Sequence, residues 1–265
     1  YFLQETHWKS DSENFIRSCW GYNCFVAGND TNKNGVAILL NNTFEYKIHN
    51  VIKDPNGCYL ILDIEFLDGR WTLVNLYGPS DGDKPNFFTN VFDVIEQTGN
   101  VNTIIGGDWN VILNPKIDAR NYKSYASRPQ CRKLILELMD NFELVDVWRE
   151  AFPEKKGFTW RRFNSIQQSR LDYFLVSDVL LSDIVDVKII PGYRSDHSIA
   201  TIGLKFDTVK KKNKQYWKFN NSLLKDKEYV DIIKQLIFDI KTQYAVPVYN
   251  FDSIKDILDE HIAFV

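Results

Sequence analysis

Oxygen and imidazole side chains close strand-like segments at several separated points of the chain: Glu5, Tyr77, Asp108 with Asn110, Asp172, and the run Ser195-Asp196-His197. Any one of these is ordinary surface chemistry. A layered fold can bring strand ends from distant parts of a chain to one rim, and acids held together there need a cation between them. Carboxylates that leave room for water ligands suit a hard ion such as Mg²⁺ or Mn²⁺, not a zinc cage.

The stretch around Asp108 indicates how one acid would be presented. Residues 102–106 read as a buried strand, with Val101, Ile104 and Ile105 supplying β-branched character, and it stops at Gly106-Gly107, which allow a tight backbone path. Two apart on extended chain, Asp108 and Asn110 would face one cleft with Trp109 turned away. The competing reading is a surface turn capped by Asp and Asn.

The chain has 265 residues, 44% hydrophobic and 25% charged, enough for one large domain or a domain with an appendage. Aromatic residues reach 14%, which suits a β-rich interior. No run approaches the roughly 18 apolar residues that cross a bilayer and no leader opens the chain, so a soluble protein with no membrane partner is expected. Cys19, Cys24, Cys58 and Cys131 form no C-x-x-C pair and, with 4 His, give no zinc spacing, as in a reduced intracellular protein. A net charge of −3 argues against a general polyanion sponge, yet it allows nucleic acid when acids gather round a metal and bases lie elsewhere.

The elements that must position these groups follow from periodicity. After the short apolar segment 1–4, a polar stretch with Asp11, Ser12 and Glu13 suits a helical or looped excursion. Residues 24–27, 35–40, 44–51, 58–66 and 70–77 are strand candidates whose close spacing predicts antiparallel neighbours. Alternation within 58–66 is only partial. A helix from Pro85 to Gly99, with Phe88, Val91, Phe92 and Ile95 at helical spacing, makes a β-α-β crossover into the Gly106-Gly107-Asp108 strand end. A second helix is expected over 129–141 through Leu134, Leu138 and Met139, with Ser127 near its cap. Residues 158–162, 170–176, 184–190 and 199–206 are strand-like. Two layers of strands with helices outside them sum to an α/β sandwich. From Asp207 the character changes. Lys210-Lys211-Lys212-Asn213-Lys214 is a solvated charge run at a boundary, Tyr229, Ile232, Ile233, Leu236, Ile237 and Ile240 form one helical stripe, and Ser253 opens a shorter helical stretch.

Gln4-Glu5-Thr6, Leu76-Tyr77-Gly78-Pro79, Gly106-Gly107-Asp108-Trp109-Asn110, Arg170-Leu171-Asp172-Tyr173 and Ser195-Asp196-His197, in this order, resemble the endonuclease/exonuclease/phosphatase family. Within it they most resemble the apurinic-type endonuclease domain of LINE-type (non-LTR) retrotransposon polyproteins. The resemblance covers residues 1–206, and the stretch from Tyr216 to Leu224 is similar to the segment that follows this endonuclease on the way to the reverse transcriptase. It implies a four-layered α/β-sandwich of the deoxyribonuclease/apurinic-endonuclease type, Mg²⁺ or Mn²⁺ as cofactor, DNA as partner, and metal-dependent cleavage of a phosphodiester.

By the same resemblance Glu5 would ligate the metal and Asp196 would lie near it. Asp108 would orient or deprotonate the attacking water, and Asn110 would donate a hydrogen bond to the phosphate. His197 would contact the scissile phosphate, buttressed by Asp172, which raises the imidazole pKa and fixes its tautomer. Tyr77 would reach the phosphate through its hydroxyl, although Tyr before Gly-Pro is also good turn packing. Thr159 would lie beside the bound strand. Arg161 and Arg162 would neutralise backbone phosphates nearby, with Ser195 among the substrate-binding residues, and binding would weaken with salt. Solvated arginines on a strand edge are the alternative. Arg120, Lys123, Arg128 and Arg132 would extend a basic rim.

The family begins with a strand carrying an Asn that helps position metal and phosphate, upstream of the glutamate. Here Tyr1 opens in mid-strand and Met139 is the only methionine, so an N-terminally truncated fragment is expected. Residues 1–206 would be the hydrolase domain, and 207–265 a linker and helical segment leading towards an absent reverse transcriptase. Three readings stand: a DNA-nicking endonuclease of a retrotransposon, intracellular and nuclear when it acts; a phosphatase or sphingomyelinase of the same superfamily, since fold does not fix substrate; and an inactive remnant.

Overall fold

The computed structural model describes residues 1–31, 33–43, 45–66, 69–121, 128–163, 166–192, 195–205 and 225–243. Contacts divide the chain into two compact units, residues 1–212 and 213–265.

A six-stranded mixed sheet forms the centre of the first unit, in the order Lys47–Lys53, Tyr59–Phe66, Gly69–Tyr77, Asn102–Asp108, Asp172–Ser177, Leu144–Asp146. Gly69–Tyr77 and Asn102–Asp108 are its parallel pair, joined by the helix Pro85–Thr98. That is the crossover expected from sequence, and Gly99 closes the helix in the left-handed conformation that glycine tolerates best. Both faces of the sheet are covered, which explains the partial alternation of residues 58–66. Ile61 packs towards the helices Pro85–Thr98 and Pro129–Asn141 together with Phe88, Phe92, Ile105 and Ile135. Leu60, Leu62 and Ile64 pack on the opposite face with Phe25, Ile38, Trp71 and Ile104.

That opposite face is covered by a second layer of strands. Phe2–Leu3, Val36–Leu39 and Cys24–Ala27 form one three-stranded sheet, and Ile184–Ile190 pairs with Ile199–Leu204 in another. The helix Glu13–Trp20 lies outside the three-stranded sheet, where Ile16 and Trp20 pack on Cys24, Val26, Ala37 and Leu39. Helix, strands, strands and helices make the four-layered α/β-sandwich that the motifs led one to expect.

The structure alters several local expectations. Neighbours in sequence are not all neighbours in space: Val36–Leu39 pairs with Cys24–Ala27 and Phe2–Leu3, while Lys47–Lys53 belongs to the central sheet. Exposed polar side chains mark Lys47–Lys53 as an edge strand, and it begins later than periodicity predicts. Leu144–Asp146 and the short helix Val147–Ala151 had no separate signal, being brief and set only a two-residue turn beyond the preceding helix. The helix Pro129–Asn141 follows Arg128, and its first-turn N–H groups at Gln130 and Cys131 donate to the Asp83 carboxylate; Ser127, the expected cap residue, lies outside the described residues, as does Phe206.

In the second unit Lys227–Gln243 is helical, and Ile232, Ile233, Leu236, Ile237 and Ile240 are exposed along it. The lysine run from Lys210, the stretch from Tyr216 to Leu224 and the helical stretch expected from Ser253 lie outside the described residues. No helix among the described residues is long and apolar enough to cross a membrane.

Candidate active site

Register brings three candidate side chains to one level. Tyr77 is the parallel partner of Asp108, and Asp172 is its antiparallel partner, so all three stand at the same end of adjacent central strands. The glycines before Asp108 make that approach possible. A Cβ on Gly106 would lie 2.3 Å from the Phe174 ring, and one on Gly107 would lie 2.0 Å from the Leu76 carbonyl oxygen at φ +141°.

Beyond Asp108 the chain does not stay extended. Asn110 takes the left-handed conformation at φ 54°, because Trp109 is drawn into the core between Phe88 and Tyr173, with ring centroids 6.0 and 5.0 Å away. Trp109 does turn from the cleft, and the two polar side chains still meet. The Asn110 backbone N–H and side-chain amide donate to the two oxygens of Asp108 at 2.9 and 3.1 Å, and the amide also donates to the Gly78 carbonyl at 3.0 Å. One amide donor contact thereby goes to Asp108 and the other to Gly78, so the side chain is engaged within the protein and not turned out to a phosphate as expected. The Arg128 guanidinium, expected on a basic rim, donates instead to the Asn110 and Ser80 carbonyls.

Glu5 arrives from the outer layer. It follows the strand Phe2–Leu3 at φ 50°, an uncommon backbone conformation for a residue with a side chain, and accepts a short hydrogen bond from the Tyr77 hydroxyl. Asn75 fixes the approach: fully buried, it donates to the Leu3 and Ala37 carbonyls at 2.8 Å each and accepts from the Gln4 amide at 2.6 Å.

His197 reaches Asp172 through Nδ1, 2.8 Å from the carboxylate Oδ2, which leaves Nε2 as its second polar atom. Ser195 turns its hydroxyl back to accept from the His197 N–H at 3.0 Å. Asp196 is exposed and accepts from the Trp160 indole at 2.9 Å. Arg161 donates to the Ser198 hydroxyl at 2.8 Å, and Arg162 to the Gln167 side chain at 3.0 Å. Thr159 is fully buried with its hydroxyl turned onto main-chain N–H groups, so its side chain offers no surface to a bound strand. Lys123 lies outside the described residues.

Charge is concentrated here. Burial and the Asp172 carboxylate push Asp108 up to about 7. Burial opposes charge on His197, but the hydrogen bond and charge of Asp172, with Asp108 and Asp196 behind them, outweigh it and hold the imidazole at about 9. Burial and Glu5 push the Tyr77 hydroxyl well above its ordinary value, so it serves as a hydrogen-bond donor. Ligand atoms of Asp108, Asp172 and His197 lie within 4.8 Å of one another. Glu5 is coupled to this trio through Tyr77 and through its effect on Asp108. Hard oxygens at this spacing, where burial and a neighbouring acid both disfavour negative charge, fit a divalent cation.

Sequence reasoning missed two supports. One is Asn75, which reads as a polar interruption in an apolar strand. The other is Arg170, 1% exposed, whose guanidinium is forked between Asp118 and Asp146 at 2.6–3.0 Å, with Arg149 also on Asp118. An arginine immediately ahead of the apolar strand that opens at Asp172 was the available signal.

A four-layered sandwich whose strand ends present paired acids, an acid-backed imidazole and an amide defines a phosphoester-cleaving class of hydrolase. The sequence model of the Endonuclease/Exonuclease/phosphatase family matches residues 2–197, and the chain belongs to that family. It is 30% identical over 237 residues to the Transposon TX1 uncharacterized 149 kDa protein of Xenopus laevis, a match covering 88% of this chain and 18% of that protein's length. Among solved structures, an AP endonuclease from Archaeoglobus fulgidus is similar at 18% identity and TM-score 0.61, covering 77% of this chain and 88% of that one. The 3′-5′ exonuclease NExo from Neisseria meningitidis is similar at 21% identity and TM-score 0.59, with the same coverages.

Proposed function

We propose that this chain is a divalent-metal-dependent endonuclease that nicks DNA, one part of a longer retrotransposon polyprotein that also carries a reverse transcriptase and acts in the nucleus. The observation that carries the reading is the shared rim on which Asp108 faces Asp172 and His197, with Glu5 joined through Tyr77. The transposon relative supports the polyprotein setting, and the endonuclease and exonuclease names of the solved neighbours support the substrate.

Bound Mg²⁺ or Mn²⁺ would be held by Glu5 and the acids beside it, with Asp196 adding negative charge nearby, and would supply Lewis-acid neutralisation of a phosphate oxygen. The chain's own residues do the rest. Asp108, steadied by Asn110, takes a proton from the attacking water as the water oxygen bonds to phosphorus. His197 stays cationic because Asp172 holds Nδ1, and donates from Nε2 to a non-bridging phosphate oxygen as charge builds there. The scissile P–O bond breaks and the departing oxygen takes its proton from solvent. Tyr77 holds Glu5 in place, while Arg161, Arg162 and Ser195 line the approach for the DNA backbone.

Substrate choice is tested by offering the chain, with Mg²⁺, a supercoiled plasmid, p-nitrophenyl phosphate and sphingomyelin vesicles. Conversion of plasmid to the open circle, abolished by EDTA and without matching turnover of the other two, is the expected result. Release of p-nitrophenol or phosphocholine from chain that leaves plasmid intact would replace this reading with a phosphatase or sphingomyelinase.

A further inference from the structure

The geometry points to Thr159 as a positioning residue, a buried clasp that sets the Asp172 carboxylate against the His197 imidazole; this deepens the function proposed above and rests on it. Thr159 is wholly inaccessible, and its Oγ1 accepts from two successive main-chain donors, Leu171 N–H at 2.9 Å and Asp172 N–H at 3.0 Å. Those donors lie where the chain enters the strand Asp172–Ser177, so the hydroxyl fixes the direction from which Asp172 leaves the backbone.

The main chain of Thr159 holds the other half of the pair. Its carbonyl accepts from Ser198 N–H at 2.6 Å, and the adjoining Trp160 bridges to His197 in antiparallel fashion, with Arg161 N–H donating to the Asp196 carbonyl at 2.9 Å. On its remaining side, Thr159 N–H donates to the Ser169 carbonyl at 3.0 Å. Three segments remote in sequence therefore meet at one residue, and the Nδ1 to Oδ2 distance of 2.8 Å spans two of them. A hydroxyl on a branched side chain is required: valine fills the same space but leaves both N–H groups buried and unpaired.

The test compares Thr159→Val and Thr159→Ser in plasmid nicking, each alone and combined with Asp172→Asn, at temperatures below the measured melting point of every variant. Thr159→Val should lower kcat at least about tenfold with KM for DNA within about twofold, and Thr159→Ser should restore most of the rate. On the Asp172→Asn background the same valine should cost less than about threefold, because its target is already gone. NMR of the same proteins reads the clasp without substrate. Thr159→Val should lose the hydrogen-bonded Nδ1–H resonance of His197 and the exchange protection of Leu171 and Asp172 amides, while Thr159→Ser keeps both. Equal losses on both backgrounds, no rescue by serine, or a retained Nδ1–H signal in the valine variant would overturn the assignment. Wild-type chain that leaves plasmid whole, with the NMR losses still seen in Thr159→Val and absent in Thr159→Ser, would refute the proposed substrate and leave the clasp standing.

Discussion

Asp108 and Asp172 are direct cross-strand partners in the antiparallel ladder between Asn102–Asp108 and Asp172–Ser177, so two carboxylates face one space at the end of a buried sheet. Opposed like charges are unfavourable, and burial together with the Asp172 carboxylate pushes Asp108 up to about 7. His197 lies against the same pair, whose negative charge favours its protonated form.

Replacing Asp172 by Asn should therefore move both limbs of the rate profile downward in pH. Asp108 loses a neighbouring charge that raises its pKa, so the acidic limb shifts lower. His197 loses its principal stabilising partner, so the cation disappears earlier on the basic side. A pH series of kcat/KM for nicking should show this double shift with a peak lowered by about a hundredfold. An unchanged basic limb would detach His197 from Asp172.

Stability of the metal-free chain should fall as pH rises. Asp108 is raised from 3.8 to about 7, so the folded state retains a proton that the unfolded chain gives up, and stability present below 3.8 is lost as pH rises to about 7. His197 is raised from 6.5 to about 9, so its contribution is fully present below 6.5 and is lost through about 9. Urea midpoints measured in EDTA should decline across both windows. Asp108→Asn should flatten the first window and His197→Gln the second, and saturating Mg²⁺ should reduce the slope.

Much of this arrangement could be read from sequence, and the parts that could not have physical reasons. The Gly-Gly-Asp strand end and the crossover helix Pro85–Thr98 follow from local chemistry, because glycine, proline and periodicity act within a few residues, whereas the acid behind His197 lies 25 residues away and was legible only through the family resemblance. The split of Val36–Leu39 and Lys47–Lys53 between two sheets is a tertiary choice that neither strand announces. Thr159 resembles a residue beside a bound strand when only its neighbours Trp160 and Arg161 are visible. Its inward orientation depends on Leu171 and Asp172, a dozen residues away.

Arg170 supports the site from behind. Methionine at this position would leave Asp118 and Asp146 facing each other in the interior with only Arg149 to compensate. Urea unfolding of Arg170→Met should show a loss of about 3–5 kcal/mol. Arg170→Lys should recover only part of it, since an ammonium cannot fork between two carboxylates. A midpoint equal to wild type would remove this network from the supports of Asp172.

Asn75 is expected to act on the metal through Glu5. Asn75→Ala breaks the hydrogen bonds to Leu3, Ala37 and Gln4 that hold the entering strand. It should cost about 1–3 kcal/mol in urea unfolding. It should also raise the Mg²⁺ concentration needed for half-maximal nicking several-fold. A normal Mg²⁺ requirement in a destabilised variant would mean that Glu5 is placed independently of Asn75.

The shared site itself is tested most directly by nicking of supercoiled plasmid in Mg²⁺ by wild-type chain, Asp108→Ala and His197→Ala at matched folded concentration. Wild type should produce open circles and each variant should lose at least about a hundredfold in rate. Cleavage by either variant at the wild-type rate would contradict a single phosphodiesterase centre built on these residues.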